Sequence, residues 1–144
     1  MLPTVALVGR PNVGKSTLFN KLTHSRDALV ADVPGLTRDR RYGRMESEDS
    51  QVTLIDTGGL FGEHVLADEL TGQTQLAVDE ADLVLLLLDG RDGVTASDED
   101  VVTYLRKSNV AFLPVINKID GLNEDQIIIF ALRLNRGYTK YYKI

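Results

Sequence analysis

The 144-residue sequence contains no cysteine. Disulfide bonds and thiolate metal sites are therefore excluded, and the composition fits a reducing compartment. Long apolar runs are missing too. The most apolar stretch, Leu83–Leu88, falls far short of the roughly 20 residues that cross a bilayer, and it suits a strand buried on both faces. The start, Met1-Leu2-Pro3-Thr4, lacks the basic region and apolar stretch of a secretory leader. There is no excess of positive charge either. Lys and Arg number 16 against 21 Asp and Glu, the net charge is −5, and no basic run marks a nucleic-acid footprint. These absences predict a cytoplasmic chain with no membrane contact and no direct nucleic-acid binding of its own. What remains is an ordinary globular balance, 43% hydrophobic and 26% charged, in a length suited to one domain with one sizeable core.

Apolar runs and breakers alternate along the chain. Val5–Val8 reads as a buried strand that stops at Gly9, followed by helical character over Lys15–Leu22. Residues 24–40 are polar around Pro34-Gly35 and read as a long loop. Arg41–Glu46 and Gln51–Asp56 read as strands of an antiparallel hairpin turning at Glu48-Asp49-Ser50. A helix is expected from about His64 to Val78, a strand over Leu83–Asp89 and a loop over Gly90–Val94. Ser97 is a candidate cap for the next helix, with Asp98, Glu99 and Asp100 in a solvated first turn. Val110–Ile116 is the next strand, Asn123 a candidate cap for a helix to about Leu134, and Tyr141–Ile144 the start of one more strand. The pattern predicts an α/β fold of three layers: a mostly parallel six-stranded sheet with one antiparallel edge strand, and helices on both faces. The loops at residues 9, 56, 89 and 117 would then share the C-terminal edge of the sheet, where such folds bind ligands.

The sharpest motif is Gly9-Arg10-Pro11-Asn12-Val13-Gly14-Lys15-Ser16, which fits G-x-x-x-x-G-K-[ST] and is followed by Thr17. Glycines let backbone N–H groups turn inward around phosphate oxygens, and the following helix offers unpaired donors and its positive dipole end to the same anion. Lys15 is expected to reach the terminal phosphates and Ser16 to place its hydroxyl on Mg²⁺. A chance match in a glycine turn is the competing explanation, but this match lies between a strand and a helix, as the mechanism requires.

A second motif, Asn117-Lys118-Ile119-Asp120, follows a later strand. A carboxylate at Asp120 accepts from two donors at once, and guanine offers such a pair in N1–H and its 2-amino group. Adenine presents an acceptor there, so the carboxylate would be left unpaired. Asn117 is expected to donate to the other edge of the base and to tie this loop to the phosphate loop, and the aliphatic stem of Lys118 to lie against the base. Between the two motifs stands Asp56-Thr57-Gly58-Gly59. Asp56 is placed to hold Mg²⁺ through water, and the Gly59 N–H to bond a terminal phosphate. In the loop 24–40, Thr37 is the best candidate for a hydroxyl that completes magnesium coordination, in an element of the kind that orders around a γ-phosphate.

Together, GRPNVGKST (Gly9–Thr17), PGLTRDR (Pro34–Arg40), DTGG (Asp56–Gly59) and NKID (Asn117–Asp120) resemble the translation-factor-related GTPases. The similarity is greatest to the first G domain of the Der/EngA family of bacterial ribosome-assembly GTPases and runs from residue 2 to about 134. The resemblance implies a P-loop NTPase G domain that takes GTP or GDP with Mg²⁺ and assists assembly of the large (50S) ribosomal subunit or its precursor. Relatives with asparagine at position 12 use it to help hold K⁺ near the phosphates, so Asn12 is implied as a K⁺ ligand and K⁺ as an activator. Lys15, Asn12 and Thr37 become the catalytic candidates. The resemblance also implies a second G domain and a KH-like domain, both absent here. The final Ser-Ala base-contacting loop and closing helix are likewise missing, so the chain is expected to be a C-terminally truncated G domain that is slow in isolation.

Leu60 stands where Ras-like proteins carry a catalytic glutamine. A binding switch with negligible hydrolysis is therefore the principal alternative, and an ATPase the second, disfavoured by Asp120. His24, His64, Arg38, Arg40, Tyr138, Tyr141 and Tyr142 are not assigned to the site.

Overall fold

A computed structural model describes residues 2–10, 13–23, 41–57, 75–118, 120–126, 128–129 and 142–143. In chain order its elements are β1 (Thr4–Val8), α1 (Lys15–Thr23), β2 (Arg41–Glu46), β3 (Gln51–Asp56), β4 (Leu83–Asp89), α2 (Ala96–Lys107), β5 (Phe112–Asn117) and β6 (Tyr142–Lys143). Residues 75–80, 124–126 and 128–129 are also helical. The strands form one six-stranded sheet in the order β2-β3-β1-β4-β5-β6. Only the edge strand β2 is antiparallel, to β3; the other pairings are parallel. After β1 the chain crosses to the sheet edge with β2, comes back beside β1 with β3, and then places β4 on β1's other side. In sheets of this order ligands bind at such a reversal, here beyond the ends of β1 and β4.

The alternation of side chains along each strand separates two cores. On one face, Ala6 and Val8 of β1, Val84, Leu86 and Leu88 of β4, and Phe112 and Ile116 of β5 pack with Val102 and Leu105 of α2 and with Ala77 and Val78. On the other, Val5 and Leu7, Leu87 and Val115 pack with Val13 and Phe19. Helices thus cover both faces, which explains why these strands read as continuous apolar runs. α1 seats closely on the sheet: a Cβ at Gly43 would lie 2.6 Å from Thr23 Cγ2 and 2.7 Å from Phe19 Cζ. The absent side chain at position 43 lets Phe19 bury completely.

The expected hairpin is present, with register Arg41↔Asp56 to Glu46↔Gln51, closed by Ser47 and Ser50 bonding each other's backbone. Asn123 caps as expected: its Oδ1 accepts from Gln126 N at 2.8 Å, and Gln126 Oε1 accepts from Asn123 N at 2.9 Å. Two expectations are corrected. β5 pairs from Phe112, not Val110, because Asn109 at φ 55° turns the chain immediately before it. The cap of α2 is Thr95, not Ser97. Thr95 Oγ1 accepts from Asp98 N at 3.2 Å while the Asp98 carboxylate accepts from Thr95 N at 2.9 Å, so two otherwise unpaired donors are satisfied reciprocally.

Candidate nucleotide-binding site

β1, β3, β4 and β5 end at Val8, Asp56, Asp89 and Asn117, so the loops that carry the motifs leave from one edge. The phosphate loop is packed too tightly for side chains at its glycines. A Cβ at Gly9 would come within 2.6 Å of the Leu87 carbonyl oxygen. Gly14 has φ 101°, and a Cβ there would lie 2.3 Å from Asn117 Nδ2. Lys15 Nζ donates to the Gly9 carbonyl, which closes the loop on itself, and the side chain is buried. That burial pushes the Lys15 ammonium below the usual lysine range, and the Asp56 carboxylate pulls part of the way back. An anion in the loop would complete the compensation.

Ser16 Oγ donates to Asp56 Oδ2 at 3.1 Å, so two hard oxygen donors, from α1 and from the end of β3, stand together. Among the described residues no group of three or more His, Cys, Asp or Glu gathers as a metal cage. The Ser16–Asp56 pair instead suits a cation such as Mg²⁺, which keeps waters and takes ligands from phosphate. Thr57 Oγ1 donates to the Leu7 carbonyl at 3.0 Å and is buried, so this hydroxyl fastens the segment after β3 to β1.

The base loop is joined to the phosphate loop directly: Asn117 Nδ2 donates to the Val13 carbonyl at 2.9 Å across 104 positions. Lys118 has φ 56°, and its Nζ lies 3.2 Å from Asp89 Oδ2. Asp120 is exposed, and so are Ser16 and Thr17. The expectations that rest on Pro11, Asn12, Thr37, Gly58, Gly59, Leu60 and Ile119 lie outside the described residues, as do those on His24, His64, Arg38, Arg40, Tyr138 and Tyr141.

Two residues that the sequence did not assign to this site belong to its frame. Asp98, expected to be solvated, is 1% exposed. Its Oδ1 accepts from Arg10 Nε at 2.9 Å, and Arg10 Nη1 also lies 3.6 Å from Asp92. The Arg10 guanidinium is therefore engaged by the β4–α2 connection and the start of α2. The spacing Thr95-x-x-Asp98 was the available signal; the long-range partner had none. Asp89 is the other: burial pushes its carboxyl up, but the Arg91 and Asp92 N–H groups and the Lys118 ammonium outweigh this and hold it below the usual carboxylate range. Its signal was its place at the end of a strand, level with Asn117.

Asp98→Ala removes the capping box and leaves Arg10 without its nearest carboxylate. It is expected to lower the unfolding free energy by about 2–4 kcal/mol in urea titrations, whereas the exposed Asp100→Ala stays within about 0.5 kcal/mol.

A phosphate loop between the first strand and first helix of a parallel sheet, hydrogen-bonded to a second loop two strands away, defines a P-loop nucleotide-binding domain. A family model described as 50S ribosome-binding GTPase matches residues 4–118, and the chain belongs to that family. It is 59% identical over 95% of its length to GTPase Der from Idiomarina loihiensis, and it spans 29% of that relative's length. Among solved structures, it superposes on Aquifex aeolicus Era bound to GDP·AlF4− with a TM-score of 0.77 at 28% identity, covering 99% of this chain and 50% of that one. The G domain of the T. maritima FeoB iron transporter gives a TM-score of 0.61 at 29% identity, over 83% of this chain and 74% of that one.

Proposed function

We propose that this chain binds GTP and hydrolyses it to GDP and phosphate. The observation that supports this best is the Asn117–Val13 hydrogen bond, which ties the loop proposed to read the base directly to the phosphate loop. In this proposal Lys15 and the inward N–H groups of the phosphate loop hold the β- and γ-phosphates. Water attacks the γ-phosphate in line, and Lys15 stabilises charge on the transferring group. Asp120 selects guanine, and Lys118 lies along the base. Mg²⁺, when held by Ser16, Asp56 and Thr37, neutralises charge on the phosphates. Asn12 is the proposed ligand of a K⁺ ion, which supplies further positive charge beside them. The proposed role is in assembly of the 50S subunit, in the cytoplasm; similarity to GTPase Der and the family description, 50S ribosome-binding GTPase, support its ribosomal part. Among the described residues no helix is long and apolar enough to cross a membrane.

Leu60, after Gly59, favours a second possibility, a nucleotide-dependent switch that binds without appreciable turnover. Phosphate release from Mg-GTP, measured in K⁺ and in Na⁺, separates these outcomes. The proposal expects turnover at least about tenfold faster in K⁺, on the scale of a charge added to the transition state. Equal rates in the two salts would remove the K⁺ ligand, and tight GTP binding without turnover in either would establish the switch.

A further inference from the structure

The carboxylate of Asp89 belongs to none of the motifs, yet it stands between the two loops. β4 ends on it, level with Asn117. Its side chain is 9% exposed, and its two oxygens serve two partners. Oδ1 accepts from Arg91 N at 2.8 Å and Asp92 N at 3.3 Å, which shapes the turn after β4. Oδ2 lies 3.2 Å from Lys118 Nζ. The same turn is bonded to the base loop through Gly90 N and the Asn117 carbonyl at 2.8 Å. Its contact is close enough that a Cβ at Gly90 would lie 3.0 Å from the Asn117 carbonyl oxygen.

Lys118 is thus held at both ends. Its backbone follows a paired strand and sits at φ 56°, a conformation disfavoured for a side-chain-bearing residue unless its surroundings impose it. Its ammonium is held by Asp89. The four methylenes between are tethered at both ends. A free lysine side chain loses rotamer freedom when a ligand immobilises it. We infer that Asp89 is a positioning residue for base binding: by holding the Lys118 ammonium, it fixes the aliphatic stem before a purine lies against it. The inference rests on the reading of Asn117–Asp120 as the base loop. It adds a division of labour, in which Asp120 reads the edge of the base and Asp89, through Lys118, prepares its face. A face has no donor pattern, so the effect of Asp89 is the same for every purine.

The test is equilibrium titration with GDP and XDP of the wild type, Asp89→Asn, Lys118→Met and the double variant, each also in an Asp120→Asn background. Asparagine retains an acceptor for the turn but carries no charge for the ammonium. Asp89→Asn is expected to weaken GDP binding about tenfold, as losses through one coupled pair do, and XDP binding equally in the Asp120→Asn background. The loss falls on KM for GTP and not on kcat. Lys118→Met, which keeps a stem without its anchor, is expected to show the same loss, and Asp89→Asn to add nothing to it. An equal cost of Asp89→Asn with and without the Lys118 ammonium would overturn the proposal, since Asp89 would then act only through the turn. A changed GDP-to-XDP preference in Asp89→Asn would overturn it too. Should Asp89→Asn fail to fold, Lys118→Met decides alone, and unchanged GDP affinity there sinks the idea. Wild-type protein that binds ADP as well as GDP would instead defeat the underlying base-loop reading.

Discussion

Lys15→Met is expected to weaken Mg-GTP binding by about a hundredfold or more, the scale on which a buried charge loses its partner, and to leave the fold at least as stable as before. Both halves have the same cause. Lys15 is 6% exposed, and its ammonium is depressed by burial with only partial relief from Asp56. A folded-state lysine pKa below the unfolded value means that folding disfavours the charged form. The resulting cost is full below the folded pKa and fades as pH rises through it toward the ordinary lysine value of 10.5. Methionine fills much of the same volume without that charge, and buried charges replaced by apolar groups are often neutral or stabilising. Thermal melts should therefore show a Tm for Lys15→Met equal to or above wild type at neutral pH, with any gain shrinking as pH climbs. Titration with a fluorescent GTP analogue measures the other half. A variant that bound within about tenfold of wild type would show that Lys15 does not face the phosphates.

Asp120→Asn is expected to change what is bound and leave how tightly phosphate is held. The carboxylate accepts from two donors, the N1–H and 2-amino group of guanine; an asparagine amide offers one acceptor and one donor. Xanthine, with N1–H beside a carbonyl at position 2, matches that pair. Preference for GDP over XDP should thus reverse, with a change in the ratio on the order of 10⁴, the discrimination available when a wrong ligand leaves polar groups unpaired. Because Asp120 is exposed, stability should move by no more than about 0.5 kcal/mol. Parallel titrations with both diphosphates read the ratio. Equal losses for the two nucleotides would show that Asp120 supports the loop without reading the base.

The central strands β1 and β4 were legible because they are buried on both faces, so apolar runs such as Leu83–Leu88 had one sensible fate. The phosphate loop was legible because its glycines answer to packing that a sequence motif records: Gly14 lies against Asn117 and Gly9 against the Leu87 carbonyl. The bond from Asn117 to the phosphate loop was anticipated from chemistry alone and is present. What escaped notice depends on partners far away in sequence. Asp98 looks like any acid in a helix's first turn until Arg10, 88 positions earlier, reaches it. Ser97 and Thr95 are both good caps, and the choice fell to Thr95 because Asp98 answers it at the right spacing. Asp89 resembles a strand-ending acid, and only the fold places Lys118 beside it.

The central claim is that the loops at Gly9–Ser16 and Asn117–Asp120 hold one guanine nucleotide between them. Isothermal titration of the chain with GDP and with ADP, each with Mg²⁺, tests this most directly. Saturable one-to-one binding of GDP is expected, with an ADP affinity weaker by about 10³-fold or more, as a base edge that mismatches Asp120 requires. ADP binding within about tenfold of GDP would contradict it.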